Sequence, residues 1–279
     1  MPDPEADGSK VAASIACLAA LLTFGGGPAA GEVLDLYQAR TIVTGQGEQS
    51  RSLGFADCLQ QVLVKVSGDS RLLVDPGVAE MAGQAGTFVA DFRYHDRMAG
   101  IPVHDEQGTR DRPYDLTVAF HPARIDAALR SLGREPWGAP RPRVVVLVGV
   151  RLGTTYLLAG DGERGRDQRE ALADAAERFG IPMALPDQAA LTKAGLSYES
   201  LPTTDLSRLD ATARTMGGDL ALVGSMVWSE EALGWLADWR LGPQGESYRW
   251  GIRGVGFDDA FRNAMAGVAQ ILSGDGRPT

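Results

Sequence analysis

Apolar side chains recur along this chain at two spacings, and the changes from one to the other predict its elements. Phe55, Cys58, Leu59, Val62 and Val66 fall three and four apart, which lines one face of a helix over 48–66. Gly68 is placed to end that helix in a left-handed cap. A strand over 33–43 precedes it, with β-branched Ile42 and Val43 close to the turn residues Gly45 and Gly47. Pro76 opens a short helix through Met81, and 88–94 reads as a strand. The polar stretch 97–112 predicts a long hairpin loop. It returns as a strand over 114–120, where Leu116, Val118 and Phe120 alternate. Pro122 starts a helix that Gly133 ends. The order βα(α)ββα over 32–133 predicts an antiparallel sheet with helices on one face.

Three prolines in the stretch 134–143 predict an extended, stiff linker. Trp137 in its middle is expected to pack at a domain junction, with ligand binding as the alternative. Beyond it, Val144-Val-Val-Leu-Val-Gly-Val150 is apolar without alternation, the pattern of a central strand covered on both faces. A partner strand over 156–159 follows, then a helix over 167–179 with Leu172, Ala175, Ala176 and Phe179 inward. A strand over 181–185, a helix over 206–216 and a strand over 220–228 come next. The period then drops to two: Trp235, Ala237, Trp239 and Leu241 alternate, as do Tyr248, Trp250 and Ile252, about a turn at 243–245. A helix over 257–272 closes the pattern, and 274–279 is a tail. The expected class is α/β (α+β). Two small domains, 32–133 and 144–273, each hold a mixed or antiparallel sheet with helices packed on it, the second in the order βαβαβββα.

The apolar run 11–24, followed by Gly, Pro and small residues through Gly31, is too short to span a bilayer comfortably. It has the form of an export signal removed after Ala30 or Gly31, which predicts a periplasmic protein. A retained anchor or a buried helix is the alternative. Asp3, Glu5 and Asp7 against the single base Lys10 depart from the usual positive start, and a mis-assigned start codon would explain them. Cys17 sits inside the apolar run, with Leu18 to Phe24 beyond it, which argues against lipidation there.

Charge narrows the partners. The whole chain carries a formal net charge of −9, and removing 1–31 takes away three acids and one base. An acidic surface with no basic block repels nucleic acid and anionic lipid. No later segment is apolar enough for a membrane span. Cys58 would be the one cysteine left after cleavage, so no disulfide can form within the mature chain. Its place on an apolar helix face reads as a small buried hydrophobe.

Chemistry is poorly signalled. His95, His104 and His121 match no short metal motif, and neither HExxH nor CxxC is present. No GxSxG or Ser-x-x-Lys marks a nucleophile. Gly160-Asp-Gly-Glu-Arg-Gly165 satisfies GxGxxG between a strand and a helix, with Asp187 placed where a ribose-binding acid could sit. Asp161 and Glu163 would set negative charge beside a pyrophosphate, so a polar turn is the preferred reading. No catalytic residue, metal or cofactor is assigned.

Several stretches, in order, carry a family resemblance: Gln61-Val-Leu-Val-Lys-Val-Ser-Gly68, Phe92-Arg-Tyr94, the segment 120–132, Pro136-Trp-Gly138 with Arg141-Pro142, and Asp219-Leu-Ala-Leu-Val-Gly224. Together they resemble an uncharacterised family of exported proteobacterial proteins, domain of unknown function 2066. The resemblance implies an envelope protein and transfers no active-site residue. The expected function is a non-enzymatic accessory protein of the bacterial cell envelope that binds another periplasmic or outer-membrane protein. The alternative is a small-ligand binder or hydrolase using an interdomain cleft. Trp137, Arg141 and Arg143 are the binding candidates, because the linker brings an aromatic ring and fixed cations to a domain boundary. Asp187, at a strand end, is the fourth.

Overall fold

A computed structural model describes residues 35–100 and 112–278. The expected export signal, Cys17, His104 and most of the polar loop lie outside the described residues.

The first sheet forms from β1 (Gln38–Thr44), β2 (Val89–Asp96) and β3 (Pro113–Phe120). It is antiparallel in the order β1-β3-β2, with Thr41 opposite Leu116 and Tyr94 opposite Leu116 on the other side. The alternation in β3 has the expected consequence: Leu116, Val118 and Phe120 are almost wholly buried. They face α1 (Glu48–Ser67), against which α3 (Pro122–Ser131) packs. Helix α1 buries Cys58, Leu59, Val62 and Val66, the face its spacing predicts. It ends at Gly68, whose φ of 83° is left-handed and whose N–H donates to Val64 O at 2.8 Å. A Cβ there would lie 2.6 Å from Cβ of Ser273, so close approach excludes a side chain as well. The short helix α2 (Pro76–Ala82) begins at Asp75, whose carboxylate accepts from the Gly77 N–H.

The second sheet is built from β4 (Val144–Leu152), β5 (Thr154–Leu157), β6 (Met183–Ala184), β7 (Leu220–Ser229), β8 (Gly234–Leu241) and β9 (Tyr248–Val255). Its order is β5-β4-β7-β8-β9, with β6 also pairing β4. Strands β6 and β7 run parallel to β4, while the other pairs are antiparallel. Strand β4 is central and buried on both faces. Val144, Val146, Val148 and Val150 join the larger core, and Val145 and Leu147 join a smaller one with Leu191, Leu209 and Ala213. Double coverage is why its sequence does not alternate.

Helices α4 (Arg166–Phe179) and α7 (Phe257–Ser273) pack against each other on the larger-core side. The opposite face is covered by α5 (Gln188–Lys193) and α6 (Leu206–Thr215). Helix α5 escapes the sequence pattern because six residues span too few turns to show a period. The strand expected over 181–185 shrinks to two residues, since prolines at 182 and 186 each lack the N–H a longer ladder requires. The fold is therefore mixed α/β, with one antiparallel and one mixed sheet. Leu59, Leu116 and Ile125 share a single hydrophobic cluster with Val146, Phe179 and Phe261, and the described residues form one compact unit.

Candidate functional site

Strands β4 and β7 are parallel neighbours, and their carboxyl ends open at one end of the second sheet. In open α/β sheets this end is where ligands sit. Here it holds a groove of about 600 Å³, lined by Leu152 of β4, Tyr156 of β5, Trp228 of β7, Trp235 of β8 and Phe257 at the start of α7. The loop before α4 supplies the polar rim through Glu163 and Arg164.

Strand register makes the aromatic floor. Trp228 stands directly opposite Trp235, and their rings meet edge to face at 5.7 Å between centroids. Trp235 is only 4% exposed and acts as the fixed base, while Trp228 is half-buried and its Nε1–H donates to Glu230 Oε1 at 2.8 Å. Across the groove the Arg164 guanidinium lies 3.9 Å from the Tyr156 ring centroid. The Tyr156 hydroxyl donates to the buried Gln168 Oε1 at 2.6 Å, which locks the ring's orientation. The result is a stiff apolar floor with a stacked guanidinium, that of Arg164, at its edge. Such a surface binds by shape and stacking.

Two leucines extend the apolar surface at this end. Leu152 lines the groove and is 50% exposed, and Leu233, in the β7–β8 hairpin two residues before Trp235, is 78% exposed. Leu233 also has a φ of 48°, a left-handed conformation that costs a branched side chain roughly 1 kcal/mol.

The GxGxxG segment reaches the groove only through its last residues. Its carbonyls turn towards its own protein, with Arg169 donating to Arg164 O at 2.8 Å. Asp161 Oδ1 accepts from the Gln188 N–H at 2.8 Å, tying the loop to the start of α5. That is the wiring of a closed polar turn.

The four residues singled out in the sequence fall elsewhere, and none lines the groove. Trp137 and Arg141 do come together: the guanidinium stacks on the indole with 4.0 Å to the ring centroid. Arg141 is buried and donates to backbone carbonyls of Lys65 (2.8 Å), Gly180 (2.9 Å) and Trp137 (2.6 Å). It thereby ties the end of α1, the end of α4 and the linker to one another, and burial lowers its pKa to about 10. Arg143 is exposed, and its backbone N–H donates to Asp219 Oδ2 at 2.6 Å. Asp187 caps α5, accepting from the Ala190 N–H at 2.7 Å. The groove residues were missed because the pairing of β7 with β8, which brings Trp228 onto Trp235, is a tertiary fact. Only the inward period of Trp235 is written locally.

Residues 30–138 match the model of a family described as a domain of unknown function, DUF8605. That is a different family from domain of unknown function 2066, and the expected membership is corrected accordingly. The motifs behind the expectation record elements more than ancestry. Gln61 to Gly68 is the apolar end of a helix with its left-handed cap, and Asp219 to Gly224 leads into a strand buried on both sides. The matched segment holds the first sheet with its helices, whereas the groove belongs to the second sheet. Comparison with curated proteins and with solved structures gives no match.

Proposed function

We propose that this chain is a non-enzymatic accessory protein of the bacterial cell envelope that holds a partner protein, periplasmic or in the outer membrane, against the groove at the end of its second sheet. The groove carries this reading. Its floor is aromatic and locked, its rim is half-exposed leucine and stacked arginine, and it lies open at the carboxyl ends of parallel strands. Tryptophan, tyrosine and arginine are the side chains that dominate the affinity of protein interfaces. A leucine both exposed and held in a strained conformation beside that floor is unfavourable for an isolated chain, and contact with a partner would bury it. Export rests on the apolar run 11–24 and the small residues after it.

The test is to recover the tagged chain from its own cells and quantify what accompanies it, using the native form and Trp228→Ala. Removing a hot-spot indole is expected to reduce recovery of one envelope protein more than tenfold, because such truncations cost about 2 kcal/mol or more. Trp228 is half-buried at a strand end, so the variant is expected to stay folded by circular dichroism. Equal recovery by both forms would remove the groove from the account. Sequencing the amino terminus of the recovered chain is expected to begin at Gly31 or Glu32, and an intact Met1 in the cytosolic fraction would refute export.

A further inference from the structure

A second cavity lies well apart in its chemistry from the groove. It holds about 480 Å³ between β1, α1, α4 and the start of α7, and five basic and five acidic side chains line it. Three of the cations make no ion pair with the described residues: Arg40, which is exposed, and Lys65 and Arg178, which are not. Lys65 is 4% exposed, and among the described residues its ammonium donates only to Gln38 O, at 2.8 Å. Burial lowers its pKa against the attraction of Glu177 and Asp35, neither of which forms an ion pair with it. Arg178, half-buried on α4, makes no hydrogen bond or ion pair with the described residues, and burial lowers its pKa against the attraction of Asp57, a half-buried acid that lines the same cavity without pairing with it. Desolvating a cation with no carboxylate in direct contact is costly, and the two line one cavity.

The anions are arranged differently. Asp174 and Asp258 line the same cavity, are exposed, and likewise have no hydrogen-bond or ion-pair partner among the described residues. The two cations of the lining that are not exposed, Lys65 and Arg178, are thus unpaired, while Asp174 and Asp258 lie at the solvent side.

We infer that this cavity binds a small zwitterion, a free α-amino acid or a dipeptide, with its carboxylate between Lys65 and Arg178 and its ammonium towards Asp174 and Asp258. A carboxylate accepts the ammonium and guanidinium donors that the protein leaves unspent. A phosphate dianion would meet five carboxylates in the lining and a chain of net charge −9, so a monoanion that brings its own cation is favoured. The volume is in the range of sites that enclose a small molecule. This site is independent of the aromatic groove.

The full chain is titrated by calorimetry and thermal shift with the twenty free L-amino acids and glycylglycine. Acetate, methylamine and inorganic phosphate serve as partial probes. One or more of the zwitterions is expected to bind one to one, at least about tenfold more tightly than acetate or methylamine. Arg178→Gln is expected to weaken that binding about tenfold or more, and Asp258→Asn by a smaller factor; both residues reach solvent, so both variants should fold. Trp228→Ala is expected to leave it unchanged, which separates this site from the groove. Absence of binding by every zwitterion, tighter binding of phosphate, or an unchanged affinity in Arg178→Gln would overturn the assignment.

Discussion

Asp69 and Lys65 lie one helical turn apart in sequence, and both are buried, yet their charges are treated in opposite ways. Asp69 is fully enclosed and accepts from Arg71 N at 3.0 Å, Arg71 Nε at 2.7 Å and Arg134 Nε at 2.7 Å. Burial alone would raise its carboxyl pKa, but the bonds from Arg71 and Arg134 outweigh it and hold the group below the ordinary carboxylate value. A carboxyl depressed in the folded state contributes stability that is complete above the unfolded value and fades as pH falls through the folded one. Asp69→Asn is therefore expected to cost about 2 kcal/mol at neutral pH, reduced from a fully buried pair because Arg71 is half-exposed. Denaturant melts between pH 7 and pH 2 should show the gap between native and variant closing below about pH 4. A gap that stayed constant would mean that the carboxylate's charge is not what the two arginines hold. Lys65 has no such network, which is why it faces a cavity. Cys58 is the third case, a thiol pushed up to about 12 chiefly by burial, with Asp57 adding to it, and so inert as a nucleophile at neutral pH.

At the scale of elements, the β7–β8 pair sets both the core and the groove. Gly224 stands opposite Trp239, and a Cβ on it would lie 2.2 Å from the indole Cζ3. Trp239 is 1% exposed and cannot retreat without disturbing Phe261, whose ring centroid is 6.2 Å away. Gly224→Ala is expected to destabilise by about 2 kcal/mol, read as a lower chemical-denaturation midpoint. Trp239→Phe in the same chain should recover part of the loss, and a variant as stable as the native chain would contradict the packing described. The pairing that makes this contact was only half legible. Period two in β8 announced Trp235, Trp239 and Leu241 as inward, and the unbroken run in β4 announced a doubly covered strand, because burial acts directly on the local pattern. Which tryptophan meets which glycine or which second tryptophan depends on register, and register leaves no mark within either strand alone. Arg141 looked available for the same reason. Arg141 is exposed in an isolated linker and buried once α1 and α4 offer it their terminal carbonyls.

For the whole molecule, the two sheets are joined through one apolar cluster, and the shared core fixes where each cavity lies. The polar cavity falls where α4 and α7 approach β1 and α1, and charged residues from these elements meet there because none of them belongs to a core. The aromatic groove falls at the opposite kind of place, the end of a sheet where strands stop and side chains lose their cover. A net charge of −9 sets the background for both, and the proposed function relies on apolar contact to hold a partner at the groove. That binding claim is tested most directly by placing a photoreactive benzoylphenylalanine at Leu152, on the groove, and at Arg214, exposed on α6 across the sheet, and irradiating intact cells. One discrete adduct with an envelope protein from position 152 and none from 214 is the expected result. No adduct from 152, or the same adducts from both positions, would contradict it.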